Sequence, residues 1–491
     1  MADDAHVIAV DQGTGSTRAV VVGPDVHAEQ VAAVPLSVTS PRHGWVEQDP
    51  NDILDSVVSV LRTAGQHMTG SPVCIGLSNQ RESALAWDAR TGEPLGPVLG
   101  WQDRRTVTRA RQLQKTVGGR IRHLSGLPVD PMFSALKIEW LLDEVDPDRS
   151  RASRGDIRVG TVDTWLVQQL TGTGQAETGN ASRTQLLNVR TADWDDELLD
   201  IFNVPRQALA PVVSSDAPTA PVQGIGAGID GLRITGVLGD SHAALFAHGV
   251  RAPGAVKATY GTGSSIMGLT AAEVEGTSGL VETIGWQRKT VARAFEGNIL
   301  STGATLVWLG NVLEQSPAEL AELARSVGDS GGVNLVPAFA GLGAPWWDGN
   351  AAAVIDGFDQ STTRAHLARA ALECIPLQVE DVLARADTAS GATIETVLVD
   401  GRPCRNDWLM QLQADLSGRL VLRPHETGLS AVGAAHMAGL GAGFWADADV
   451  ESLRRPREEF APSTAYARGA RLESWRLAVG RSRHTAARTP A

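Results

Sequence analysis

The sequence predicts an α/β protein of two domains, on three observations: its length, a glycine-rich hairpin that occurs twice, and an alternation of strand-like and helix-like runs. A chain of 491 residues exceeds what one hydrophobic core organises, so two large domains are expected. Val7 to Val10 reads as a strand, runs into Asp11-Gln-Gly-Thr-Gly-Ser-Thr-Arg18, and resumes as a strand at Ala19 to Val22. The same design returns at Val256 to Tyr260, Gly261-Thr-Gly-Ser-Ser265 and Ile266 to Leu269. A single turn of this kind could arise by chance in a chain with 52 glycines. Two near-copies, each between β-runs, predict duplicated domains. The expected division is an N-terminal domain over 1–250, a C-terminal domain over 251–475 and a loose tail over 476–491.

The elements follow in order. Asp49-Pro50 has the form of an N-cap with proline at the first helical position, and Ile53, Val57, Val60, Leu61 and Ala64 follow at helical spacing. Val73, Ile75 and Leu77 alternate as a strand that ends at Ser78-Asn-Gln-Arg-Glu82. Ile234 to Leu238 is a strand ending at Gly239-Asp240, before a helical pattern from His242 to His248. In the second half a helix around Arg364 to Ala384 precedes the strand Thr396 to Val399, then Asp400-Gly401 and a helix from Asn406. Such alternation implies α/β layers with ligands at strand ends and between domains.

Composition narrows the function. With 43% hydrophobic and 20% charged residues, the chain has the make-up of a soluble globular protein. A net charge of −13 argues against nucleic acid as a partner, because such binding depends on clustered Lys and Arg. Nucleotide binding stays open, since it uses local backbone N–H groups. Cys74, Cys374 and Cys404 have no metal spacing and read as buried, reduced thiols of a cytoplasmic protein. The segment Met1 to His6 lacks the pattern of a signal peptide, and no apolar run reaches membrane-spanning length.

Phosphoryl transfer needs N–H donors around phosphates, a metal ion against their charge, and a base beside the attacking hydroxyl. The two Gly-Thr-Gly-Ser turns suit the first task. Arg18 can neutralise a phosphate, and Asp11, at a strand end, can hold Mg²⁺ through water. For one hairpin an ordinary surface turn is the better reading; the duplication reverses that preference. Taken alone, Asp240 reads as an N-cap, and Asp163 in Gly160-Thr-Val-Asp-Thr-Trp165 as structural. Arg81-Glu82 with Trp101 could hold a polyol, the charged pair on hydroxyls and the indole on the carbon chain. By themselves they read better as a surface ion pair and a core tryptophan.

Taken together these residues resemble the FGGY family of carbohydrate kinases over nearly the whole chain. The likeness rests on Asp11-Gln-Gly-Thr14 with Arg18, Gly44-Trp-Val-Glu47, Asn79-Gln-Arg-Glu82, Trp101-Gln102, Gly160-Thr-Val-Asp-Thr-Trp165 and Asn180-Ala-Ser-Arg-Thr184. It continues through Gly239-Asp240, Tyr260-Gly-Thr-Gly263, Gly341-Leu-Gly-Ala-Pro345, Gly433-Ala-Ala435 and Gly443-Phe-Trp445. The resemblance implies two actin-like (ribonuclease H-like) domains with an active cleft between them. It implies ATP-dependent phosphorylation of a primary hydroxyl of a small polyol, glycerol or a C4–C5 relative, with Mg²⁺ at Asp11. Arg81, Glu82, Trp101, Met132, Asp240, Ser241 and Ser265 are then the substrate contacts, with Asp240 as the base. Thr14, Gly15, Ser16, Arg18, Thr262, Gly263, Gly303, Val307, Arg402 and Asn406 fall on the nucleotide. No nucleic acid or membrane partner is expected, and self-association is left open.

Several positions depart from the family's glycerol-phosphorylating members. Met132 stands for a tyrosine, Ser241 for a glutamine, Ser265 for a phenylalanine and Val307 for a glutamine. An Asp-Gly-Gly run becomes Asp400-Gly401-Arg402. The first three changes predict a wider, more polar pocket that prefers a four- or five-carbon polyol. The run Gly226-Ala-Gly-Ile-Asp-Gly-Leu-Arg233 lacks the glycine-rich loop that binds an inhibitory sugar bisphosphate in some members. The alternatives are a ketose kinase of the same family, such as a xylulose kinase, and a non-catalytic actin-like ATPase or sensor.

Overall fold

The computed structural model describes residues 5–24, 28–68, 70–274, 276–453, 455–463 and 468–484. The start of the N-terminal segment, 1–4, and the end of the expected tail, 485–491, lie outside the described residues. The chain forms two compact units interleaved in sequence. One takes 1–249, 282–294 and 428–454; the other takes 250–281, 295–427 and 455–491.

The first unit opens on the hairpin β1 (Ala5–Gln12) and β2 (Ser16–Val22), antiparallel with Asp11 opposite Arg18. β3 (Ala28–Pro35) pairs antiparallel with β2. Helix α1 (Pro50–His67) starts as the sequence predicts: the Asp49 carboxylate accepts the Asn51 N–H, Pro50 takes the first turn, and Ile53, Val57, Val60, Leu61 and Ala64 are buried. β4 (Ser71–Asn79) and β5 (Ile234–Gly239) run parallel to β1, giving the sheet order β5-β4-β1-β2-β3. The alternation expected at Val73, Ile75 and Leu77 is absent beyond Val73. Cys74 to Asn79 are all buried, because a central parallel strand is covered on both faces. Helices α2 (Ser134–Val145) and α3 (Asp240–Ala247) complete the parts that carry candidate site residues.

The second unit repeats the plan. β6 (Ala255–Tyr260) and β7 (Ser264–Leu269) form its hairpin, and β8 (Val291–Ile299), which belongs to this unit from Phe295 onward, lies beside β7. Helix α4 (Gly303–Leu313) and the long α5 (Arg364–Ala389) follow. β9 (Thr396–Asp400) and β10 (Leu420–Pro424) extend the sheet in parallel from β6, with α6 (Asp407–Ser417) between them. Five of the seven strands of this sheet, in the order β10-β9-β6-β7-β8, match β5-β4-β1-β2-β3. The duplication read from two hairpins therefore extends to a five-stranded arrangement around each of them.

From Gly428 the chain returns to the first unit as α7 (Leu429–Gly441). This helix lies so close on β4 and β5 that a Cβ at Gly76 would sit 2.4 Å from the Ala434 carbonyl oxygen, and one at Gly236 2.3 Å from the Ala438 nitrogen. β11 (Arg457–Phe460) then closes the edge beside β10, and α8 (Arg468–His484) ends the description. The loose tail expected from 476 is helical to His484, because Trp475, Ala478 and Val479 are buried on one face of α8. Among the described residues no helix is long and apolar enough to cross a membrane.

Candidate active site

In the first unit, β4 delivers the turn Gln80-Arg81-Glu82-Ser83, which is buried throughout. Glu82 adopts a left-handed φ of 61°, a conformation that is uncommon for a side chain and needs support from its surroundings. The support is visible: Arg183 Nε donates to Glu82 Oε1 at 2.6 Å, and the Ser134 hydroxyl donates to the Glu82 carbonyl at 2.9 Å. Arg183 is fully buried, with its guanidinium 5.2 Å from the Phe133 ring centroid. Arg81 runs over Gly239, where a Cβ would come within 2.6 Å of its stem. Its Nε then reaches Asp240 Oδ1 at 3.1 Å.

Asp240 is the first residue of α3, and the cap position belongs to Gly239, which makes no side-chain cap bond. The N-cap role read from sequence is therefore corrected. Asp240 Oδ1 accepts from the Ser241 N–H at 2.6 Å and from Arg81. Among the described residues Oδ2 accepts no hydrogen bond, and the side chain is 41% exposed. Asp11, next to last in β1, accepts from the Ser78 hydroxyl at 3.1 Å. Burial, then the charge of Asp240, push its carboxyl up to about 6 against the Ser78 hydrogen bond and the Arg18 charge. The carboxylates of Asp11 on β1 and Asp240 just after β5, on either side of β4, thus sense each other. Asp163, read as structural, accepts the Glu177 N–H at 3.3 Å, and burial pushes it up to about 6.

Trp101 is 40% exposed. Its indole N–H donates to Thr14 Oγ1 at 3.1 Å, and its backbone N–H to the Ser83 hydroxyl at 3.1 Å. Thr14 also accepts, through its carbonyl, from Gln48 Nε2 at 2.9 Å, and Gln80 Nε2 donates to Gln48 Oε1 at 2.9 Å. The hairpin tip is therefore tied to the turn that carries Arg81 and Glu82. Gly15 is exposed, and a Cβ there would meet nothing within 4 Å. The fold does not require glycine at that position; close approach by a ligand would. Ser16 begins β2, and Arg18 is exposed on it. Met132 is half-buried, its N–H bonded to Asp130 Oδ1 at 2.8 Å and its carbonyl to the Lys137 ammonium. Arg183 and Lys137 escaped the sequence reading as site residues. Arg183 lies within a quoted motif, whereas Lys137 gave no signal beyond a charge among apolar positions of α2.

The second unit holds the other set. The carbonyls of its hairpin turn accept the first N–H groups of α4: Gly303 to Gly261 at 3.0 Å, and Thr302 and Ala304 to Thr262 at 2.9 and 3.1 Å. The Gly303 N–H is thus engaged within the protein, and a Cβ at Gly303 would lie 2.5 Å from the Gly261 carbonyl oxygen. Gly263 is equally tight against Ile299. Val307 is 54% exposed on α4. The Ser265 hydroxyl donates to Glu296 at 2.7 Å. Gly401, at φ 93°, lies 2.0 Å in Cβ terms from the Tyr260 carbonyl oxygen, which sets Arg402 beside the turn. Arg402 is exposed and makes no hydrogen bond or ion pair among the described residues. Asn406 caps α6 through the Leu409 N–H at 3.2 Å.

Residues 6–247 match the N-terminal domain, and residues 256–442 the C-terminal domain, of the FGGY family of carbohydrate kinases. The chain belongs to that family. This FGGY kinase is 41% identical to a glycerol kinase of Dechloromonas aromatica over 98% of both chains. It is 40% identical to "glycerol kinase 2" of Thermotoga maritima, over 97% of this chain and 98% of the other. Among solved structures, the Plasmodium falciparum glycerol kinase with ADP superposes with a TM-score of 0.90 at 27% identity, covering 97% and 98% of the two chains. A gluconate kinase of Lactobacillus acidophilus reaches a TM-score of 0.91 at 19% identity, over 98% of both chains, a likeness of fold. The protein is thus an ATP-dependent carbohydrate kinase with two actin-like domains, as the sequence motifs imply.

Proposed function

We propose that this FGGY kinase transfers the γ-phosphoryl group of ATP to a primary hydroxyl of glycerol, giving glycerol 3-phosphate and ADP. The observation that carries the reading is the Arg81–Asp240 pair, which leaves Asp240 Oδ2 without a hydrogen bond and accessible. Oδ2 takes the proton of the attacking hydroxyl as its oxygen bonds to phosphorus and ADP departs. Arg81 and Glu82 bond neighbouring hydroxyls, and the Trp101 indole covers the carbon chain. The residues read as nucleotide contacts are Thr14, Gly15, Ser16 and Arg18, and Thr262, Gly263, Gly303, Val307, Arg402 and Asn406. The names of the relatives, glycerol kinases at about 40% identity, support glycerol as the substrate.

Mg²⁺ fits the Asp11 end of this site. Hard carboxylate oxygens suit the ion, and a carboxyl raised by burial and by a like charge is stabilised as its anion when a cation arrives. When bound, the ion neutralises phosphate charge. A cytoplasmic location is part of the same reading, supported by three free, buried cysteines.

The preference expected for a longer polyol rested on a pocket widened at Met132, Ser241 and Ser265, in which glycerol would leave the two serine hydroxyls unpaired. Ser265 already donates to Glu296, so one of those hydroxyls has its partner without a longer substrate, which favours glycerol. Polyol-dependent ADP release, read as kcat/KM for glycerol, erythritol, threitol, the pentitols and xylulose, tests the proposal. Glycerol should lead by tenfold or more. A pentitol or a ketose in front, or ADP release indifferent to all of them, would overturn it.

A further inference from the structure

Lys137 is fully buried on α2, among Ala135, Leu136, Ile138 and Leu141. An ammonium group has three N–H donors and no acceptor. Here it meets three successive carbonyls, those of Pro131 at 3.1 Å, Met132, and Phe133 at 3.3 Å. Three consecutive carbonyls converge on one point only if the backbone curls around it, so the ammonium dictates the shape of the segment. The opposite side of the segment is held as well. Asp130 Oδ1 takes the Met132 N–H at 2.8 Å, and the Ser134 hydroxyl bonds the Glu82 carbonyl at 2.9 Å. Both backbone polar groups of Met132 are therefore engaged, and neither bond involves its side chain.

We propose that Lys137 is a positioning residue for polyol capture: its three donors fix the segment 131–133 and with it the Met132 side chain against the Arg81–Glu82 turn. The proposal rests on the reading of Met132 as a substrate contact. Burying an ammonium group carries a large desolvation penalty. Burial pushes the Lys137 amine down to about 7, while the carboxylates of Glu82, Asp103 and Asp130 act the other way and the Arg104 charge adds to the fall. A methionine or leucine would fill the same volume without that penalty, which points to a use for the donors themselves. The arrangement also separates scaffold from lining. A different side chain at position 132 alters what the substrate meets without releasing the loop.

The test compares Lys137→Met, which keeps the stem and removes the donors, with Lys137→Gln, which keeps N–H donors on a shorter stem. Each is assayed for KM of glycerol, KM of ATP, kcat and thermal midpoint. Lys137→Met should raise the glycerol KM tenfold or more, leave the ATP KM within twofold, and keep the thermal midpoint within a few degrees; Lys137→Gln should fall between. A glycerol KM within twofold of wild type in folded Lys137→Met, or equal losses in both KM values, overturns the proposal. Failure of both variants to fold would make Lys137 part of the core and overturn it too. Met132→Ala separates this inference from the reading beneath it. If Met132→Ala leaves the glycerol KM unchanged, the pocket assignment fails. If Met132→Ala moves it and Lys137→Met does not, only the positioning role fails.

Discussion

Replacing Asp240 by asparagine isolates proton transfer from architecture. The amide oxygen of Asn can still accept from the Ser241 N–H and from Arg81 Nε, the two bonds that Oδ1 holds now. What disappears is the basicity of Oδ2. Loss of a general base lowers turnover by roughly 10²- to 10⁴-fold, about 3–5 kcal/mol on the barrier. The effect on stability should be far smaller. The Asp240 side chain is 41% exposed, and an ion pair of that exposure contributes about 1 kcal/mol or less. The loss is partly offset because Asp11 is freed of a like charge. A change of 1 kcal/mol moves the midpoint of a unit of this size by about 2–4 °C. Initial rates at saturating glycerol and ATP, set beside a calorimetric scan, give both numbers. A fall in kcat below tenfold would refute Asp240 as the base. A midpoint lowered by much more than 4 °C, in step with activity, would return the residue to a structural role.

Two further outcomes concern ionisable groups away from the Arg81–Asp240 pair. Arg402 has no partner among the described residues, so Arg402→Gly should raise the KM for ATP severalfold through loss of a charge-assisted phosphate contact; an unchanged or lower KM would show that the side chain contributes nothing or obstructs. Burial raises the Glu177 carboxyl from 4.5 to about 7. The folded state therefore holds this proton more tightly than the unfolded chain, and the stability it contributes is complete below 4.5 and lost as pH rises through 7. Relative to Glu177→Gln, the wild type should lose up to about 3 kcal/mol between pH 4.5 and 8, read from urea midpoints; a pH-independent difference would contradict a buried carboxyl.

How far the fold and site were legible depended on whether a signal was local. The Asp49-Pro50 start of α1, the two hairpins and the Gly239-Asp240 junction carry their cues within a few residues, and each was read where it stands. Val73 to Leu77 misled because three apolar residues at alternate positions fit a half-covered strand as well as a central one. Only the neighbours β1 and β5 decide between them. The end of α8 was missed because its polar composition hides a few buried positions: Trp475, Ala478 and Val479. In the site, Arg81, Glu82 and Asp240 were legible as residues with motifs around them. The partners that hold Glu82 and Met132 were not: Arg183 is 101 positions from Glu82, and Lys137 shows its purpose only once three carbonyls surround it. Ser265 illustrates the reverse error. A polar residue in place of an aromatic one looks unsatisfied in sequence, yet Glu296 lies 31 positions away to receive its hydroxyl.

The close seating of α7 on β4 and β5 also sets an order of events during synthesis. The strands that receive this helix are complete once Gly239 has been made, yet the helix belongs to 428–454. At a synthesis rate of about 5–20 residues per second, roughly ten to forty seconds pass between the two. During that interval one face of the first sheet, with Gly76 and Gly236 bare at its centre, waits for a cover that has not left the ribosome. Most of the second unit, all but 455–491, is synthesised within the same interval. A nascent chain of this protein thus carries an exposed apolar sheet face while its other half folds, and the first unit closes only when the chain doubles back. A fragment ending near residue 250 would hold Asp11, Arg81, Trp101 and Asp240 but keep that face open permanently, so solubility of such a fragment should depend on adding the α7 segment in trans.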